Sequence, residues 1–248
     1  MCGIIGYIGN REALPILVES LGRLEYRGYD SCGIAVYGDK IKVYKDAVTI
    51  EKLGKTLPHL GEKIGIGHTR WATHGEPSRI NAHPHLDCTG RIAVVHNGII
   101  TNYEILREEL TREGHRFVSG TDTEVIPHLI EKYYQGNPEE ALNKTLARLQ
   151  GSYAIAVMVE GERELVVARK DSPLVIGIGD GENFAASDVP AILGYTKKAI
   201  YLDDGEIAVL TPGQVRVTKC GKEIAKTEHR IRWNTEDAQK GGYEHFML

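Results

Sequence analysis

From Ser152 to Ala225 the chain is a succession of short apolar runs, YAIAVMV, ELVVAR, LVIGI, NFAAS, AIYL, EIAVL and QVRVT. Each is closed by polar or turn-forming residues. Runs this short are below the length at which a helix holds itself together, so they read as strands. Asp180-Gly181 and Asp203-Asp204-Gly205 supply the residues of hairpin turns between them. So many strands need covering layers to bury their apolar faces, which restricts the chain to a layered β-rich architecture.

The first half supplies those layers. CGIIGYIG reads as a short buried strand, and the segment after it spaces Leu14, Leu17, Val18, Leu21 and Leu24 at helical intervals. CGIAVYGDKIKVYK predicts a hairpin about Gly38-Asp39, TIEKLGKTL a short helix, KIGIGHT a strand, and RIAVVHNG a strand ending in a turn. NYEILREELTREG predicts a helix that Gly114 closes. TDTEVIPHLIEKYYQG predicts a second, with Thr121 and Glu124 at capping-box spacing. NPEEALNKTLARLQG predicts a third, with Asn137 as N-cap and Pro138 at the first helical position. The fold class is α+β, in one domain over 2–225. From 226 to 248 the chain turns polar and aperiodic and reads as the start of a linker.

Net charge is −4 with no basic patch, which argues against a nucleic-acid partner. No secretory leader and no apolar run of about 20 residues is present, so neither export nor a membrane span is expected. Cys2, Cys32, Cys88 and Cys220 are dispersed and form no C-x-x-C pair, which points to reduced thiols and a cytoplasmic protein.

Cys2 has two readings: a small apolar strand residue, or a nucleophile. Removal of Met1 would leave its own α-amine, with a reference pKa of about 7.7–8.0, able to take the thiol proton. His68, His74, His83, His85 and Cys88 crowd one loop-rich stretch, but their spacing matches no zinc pattern. Packing or loop roles are therefore expected of them, with no metal and no cofactor. Arg70 has the fork to grip a carboxylate, or is a salt-bridge partner. Asn97-Gly98 is a turn dipeptide, or an oxyanion hole made of a side-chain amide and a backbone N–H. Asp122 caps a helix or holds a ligand ammonium. IGIGDGEN lacks the Lys-Ser/Thr of a phosphate loop and reads as a hairpin.

Taken together, an N-terminal Cys-Gly-Ile followed in order by LEYRGYDS, GHTRWATHGEP, NAHPH, HNGII, TDTEV and SPLVIGIGDGENFAASD resembles the class II glutamine amidotransferases. The resemblance runs over almost the whole chain. Within that family it points to the branch whose ammonia converts fructose 6-phosphate to glucosamine 6-phosphate. It implies an N-terminal-nucleophile hydrolase fold, a four-layer αββα sandwich of two antiparallel sheets. It implies glutamine as substrate, Cys2 as the nucleophile, and Asn97 and Gly98 as the oxyanion hole. Arg70 would grip the glutamine α-carboxylate and Asp122 its α-ammonium. Trp71, Thr73 and His74 would belong to a loop closing over the substrate, which Gly98 also touches, and Arg27 would lie near the nucleophile. Fructose 6-phosphate would bind only through a sugar-isomerase region beyond 248, in a full-length homodimer. Cys32 stands where the family more often has alanine, so a second thiol near the site is expected. The rival readings are another class II branch, such as amidophosphoribosyltransferase or asparagine synthetase, a catalytically silent glutamine sensor, and a metal-dependent hydrolase.

Overall fold

The computed structural model describes residues 2–232. The strands are β1 (Gly3–Ile8), β2 (Ser31–Tyr37), β3 (Ile41–Asp46), β4 (Ile64–Arg70), β5 (His85–Leu86), β6 (Ile92–Ile100), β7 (Gly151–Val159) and β8 (Leu165–Lys170). They continue as β9 (Val175–Ile178), β10 (Asn183–Ala186), β11 (Lys198–Tyr201), β12 (Glu206–Leu210), β13 (Val215–Lys219), β14 (Lys222–Ile224) and β15 (His229–Arg230). The helices are α1 (Ala13–Gly22), α2 (Ile50–Gly54), α3 (Tyr103–Arg112), α4 (Val125–Tyr133) and α5 (Pro138–Leu146).

The strands form two antiparallel sheets. One runs β15-β11-β9-β10-β1-β4-β2-β3 and the other β14-β13-β12-β8-β7-β6-β5. Side-chain parity shows how they stack. On β1, Ile5 and Tyr7 pack with Leu14, Leu17 and Leu21 of α1, whereas Ile4 and Ile8 face the second sheet. On β6, Ala93 and Val95 face the first sheet, whereas Ile92 and Val94 pack with Leu106, Leu129 and Leu142 of α3, α4 and α5. Three apolar layers thus separate four layers of structure, the αββα sandwich expected. Because β1 is covered on both faces, all six of its residues are buried.

The hairpin about Gly38-Asp39 joins β2 to β3, and Asp180-Gly181 joins β9 to β10. Asn137 caps α5, its side chain accepting from the Glu140 N–H at 3.0 Å. Three expectations are corrected. Asp203-Asp204-Gly205 is a crossover rather than a hairpin turn, since β11 and β12 lie in different sheets. The capping box of Thr121 and Glu124 does not form. The Glu124 carboxylate instead accepts from the Val118 and Ser119 N–H groups, and the Thr121 hydroxyl bonds Ser119 and His85. Residues 226–232 belong to the domain: His229–Arg230 adds to the edge of the first sheet beside β11, and Ile231 is buried in the core under it. The rest of the expected linker, 233–248, lies outside the described residues.

Candidate active site

Strand register brings the polar residues together. Gly3 pairs with Thr69 and Ser31 with Arg70, so Cys2, Asp30 and Trp71 meet at one end of neighbouring strands. Cys2 shares the parity of Ile4, and His68 and Arg70 that of Ile66. On the facing sheet Asn97 shares the parity of Ala93 and Val95. All of them are therefore directed into the layer between the sheets, where its apolar filling gives way to polar groups. This is why a short strand of buried residues opens on a cysteine.

The Trp71 N–H donates to Cys2 Sγ at 3.2 Å. Burial pushes the Cys2 thiol up, while the Trp71 N–H and the Arg70 charge oppose that shift. The Cys2 carbonyl is clamped from two sides, by Asn97 Nδ2 at 2.9 Å and Arg27 Nε at 3.0 Å. Arg27 is itself paired to Asp188 at 3.0 Å. It therefore holds the backbone of Cys2 rather than its sulfur.

Asn97-Gly98 is not a turn. The strand continues to Ile100, and both residues sit in the β6–β7 ladder opposite Ala154 and Tyr153. Gly98 has φ 131°, and a Cβ there would lie 2.1 Å from the Ser152 carbonyl oxygen, so only glycine fits. The Asn97 amide is oriented by His68, whose Nε2 lies 3.0 Å from Asn97 Oδ1 and 3.0 Å from the His96 carbonyl. Burial holds His68 down to about 3, so it is neutral, with its proton on Nε2 facing those two acceptors. One Nδ2 hydrogen of Asn97 serves the Cys2 carbonyl and the second is left for a ligand.

Arg70, on the last residue of β4, donates to the carbonyls of His74, Gly75 and Glu76 and so draws in the loop that follows. Asp30 accepts from the Ala72 N–H at 2.5 Å and steadies the same loop. Arg70 lies close enough to Cys2, Asp30 and Asp122 for each to favour its charge, against burial. Asp122 is buried, with Oδ2 accepting from the Ile100 N–H at 2.7 Å. It caps no helix. Its Oδ1 has no hydrogen-bond partner among the described residues. Trp71 is 54% exposed and packs edge-on to Tyr29, His74 lies edge-on to Tyr103, and Thr73 is exposed.

A family model described as a glutamine amidotransferase domain matches residues 68–194. The chain belongs to the glutamine amidotransferase family. Three curated relatives, all glutamine–fructose-6-phosphate aminotransferases (isomerizing), align with the whole of this amidotransferase chain. They are 56% identical in Pyrococcus horikoshii, 52% in Caldanaerobacter subterraneus and 55% in Thermococcus kodakarensis. The chain spans 43%, 42% and 42% of their respective lengths. Among solved structures, a glutamine phosphoribosylpyrophosphate amidotransferase from B. subtilis superposes with a TM-score of 0.77 at 28% identity. The alignment covers 88% of this chain and 49% of that one.

The candidate site includes positions that sequence reasoning passed over. His68 was expected to pack or line a loop, yet it orients Asn97. The available signal was its i, i+2 relation to Arg70 on one strand, which puts both on the same face. Asp30 and Asp188 gave no such signal, since their partners are 42 and 161 residues away. Cys32 does not join the site. It shares the parity of Ile34 and packs in the helix-covered layer, its Sγ donating to the Val48 carbonyl, with burial pushing the thiol up to about 12. Cys88 also makes its contacts elsewhere, with His115 and His128.

Proposed function

We propose that this domain hydrolyses the side-chain amide of glutamine through a thioester on Cys2, and that the ammonia serves a second reaction in a longer protein. The observation that supports it is the meeting of Cys2 Sγ, the Asn97 amide, Arg70 and Asp122 at one end of the inter-sheet layer. With Met1 removed, the α-amine of Cys2 takes the thiol proton, and the thiolate attacks the amide carbon. The second Nδ2 hydrogen of Asn97 and the Gly98 N–H receive the oxyanion. Collapse breaks the C–N bond, and ammonia leaves with the proton returned by the α-amine. Water then cleaves the γ-glutamyl thioester to glutamate and regenerates the thiol.

In this scheme the N–H groups of Arg70 not spent on the loop pair with the substrate α-carboxylate. Asp122 Oδ1 pairs with the α-ammonium. Trp71, Thr73 and His74 travel on the loop that Arg70 and Asp30 anchor, which limits the escape of ammonia to water. The identity to fructose-6-phosphate aminotransferases over the whole chain favours fructose 6-phosphate as the eventual acceptor. Among the described residues no helix is long and apolar enough to cross a membrane, and all four cysteines are unpaired. Cytoplasmic operation is part of the same proposal.

The decisive test is glutamate release by the wild type and by Cys2→Ala, with intact mass after a glutamine-like electrophile. We expect a single adduct on Cys2 with none on Cys32, and loss of glutaminase in Cys2→Ala and in any form that retains Met1. Wild-type release by Cys2→Ala would overturn the assignment. For the acceptor, the full-length protein would be offered fructose 6-phosphate or phosphoribosyl pyrophosphate, and amination of the second alone would overturn that part.

A further inference from the structure

The turn after β5, the segment after α3 and one face of α4 converge on a second cluster, which shares no residue with the active site. Cys88 Sγ lies 3.7 Å from His115 Nδ1 and 3.5 Å from His128 Nδ1. Glu131 Oε2 lies 2.9 Å from His115 Nδ1 and 3.4 Å from His128 Nδ1. His128 and Glu131 are three apart on α4, which places them on one helical face. The four donor atoms all fall within 4.8 Å of one another.

Those spacings can be compared with a tetrahedral zinc ion. Bond lengths of about 2.3 Å to sulfur and about 2.0–2.1 Å to nitrogen and oxygen require edges of roughly 3.6 Å for S···N and 3.3 Å for N···O. Three of the four measured edges agree within about 0.2 Å. The fourth, between His115 and Glu131, is a hydrogen bond that would open by about 0.4 Å as the ion replaced the shared proton. We propose that Cys88, His115, His128 and Glu131 bind a zinc-like divalent cation.

The surroundings fit a ligand set. The Arg116 N–H donates to Cys88 Sγ at 3.3 Å, and the Cys88 N–H donates to Glu131 Oε2 at 3.2 Å. His128 is 1% exposed, and its other nitrogen, Nε2, has no hydrogen-bond partner among the described residues. That nitrogen faces Glu124 Oε1 at 3.9 Å, and Glu124 is itself fixed by Val118 and Ser119. A carboxylate behind a ligating imidazole sets its tautomer and orientation. Cys88 is exposed and provides the route of entry. With all four positions taken by protein the site is structural. It ties the turn after β5 to α4, just beyond the segment that carries Asp122.

The test is cobalt titration of the chelator-stripped 248-residue chain, read by absorbance. We expect saturation at one equivalent, with a thiolate-to-cobalt charge-transfer band and the strong visible bands of four-coordinate cobalt. Cys2→Ala and Cys220→Ser keep the charge-transfer band, and Cys88→Ser loses it. His115→Ala, at a half-buried position, shifts saturation to higher cobalt. Zinc displaces cobalt and, at a hundredfold excess over its Kd, raises Tm by roughly 5–10 °C. Absence of a saturable charge-transfer band overturns the proposal. So does a band that survives Cys88→Ser, or one that disappears in Cys2→Ala.

Discussion

At the scale of single residues, the proposed mechanism depends on groups that hold other side chains in place. His68 is the clearest. Its one available proton faces Asn97 Oδ1, and that contact decides which way the amide hydrogens point. We expect His68→Leu to lower kcat about tenfold to a hundredfold, with little change in KM for glutamine. His68→Gln keeps an N–H at about the same reach and should recover most of kcat. Steady-state glutaminase kinetics check both, and a leucine variant with wild-type kcat would remove the positioning role. Cys2 illustrates the opposite limit. Nothing in its strand sets it apart from a buried structural cysteine, and the role proposed for it rests on Asn97, Arg70 and Asp122 gathered around it.

At the scale of elements, β6 shows how a local signal misleads. Asn97-Gly98 has the residues of a tight turn, yet pairing with nine residues of β7 carries the strand through it. The dipeptide is used for its other property: Gly98 reaches φ 131° and lies flat against Ser152. We expect Gly98→Ala to destabilise the domain by about 3 kcal/mol or more and to abolish glutaminase. Gly90 also has positive φ, but a Cβ there meets nothing, so Gly90→Ala should lower stability by only about 1 kcal/mol. Urea unfolding of the two variants distinguishes clash from backbone conformation alone. Equal losses would show that the Ser152 contact is unimportant. The loop after β4 is governed by long-range contacts in the same way. Lys45 Nζ donates to the Ala82 and Pro84 carbonyls from β3, and Arg70 gathers the other end.

At the scale of the whole molecule, the space behind the site is filled by histidines. His68 stacks on His83 at 4.1 Å between ring centroids, and His83 meets His85 at 4.7 Å. Burial pushes His68 to about 3 and His83 and His85 well below their ordinary value near 6.5. Below about pH 6.5 the unfolded chain therefore binds protons that the folded chain refuses. Stability is complete above that pH and falls as the pH drops, by about 1.4 kcal/mol per unit for each histidine that stays neutral. Carboxylates held low, such as Glu109 at about 2 beside Arg148 and Lys132, begin to contribute only below about pH 4.5. Urea unfolding between pH 7.5 and pH 5 isolates the histidines, and a flat profile would contradict this account. The sequence by itself determined which segments are strands and which are helices, because those signals are local: the short apolar run of β1 and the N-cap of α5 are written within a few residues. Through its motifs it also pointed to the residues of the proposed site. What it left open was every choice made by partners far along the chain. Only the tertiary structure decided that 203–205 crosses between sheets, that Cys32 faces away from Cys2, that His68 serves Asn97, and that Cys88 meets His115 and His128. The physical reason is that register between strands sets which side chains share a layer. Register is a property of pairing, and no single segment contains it.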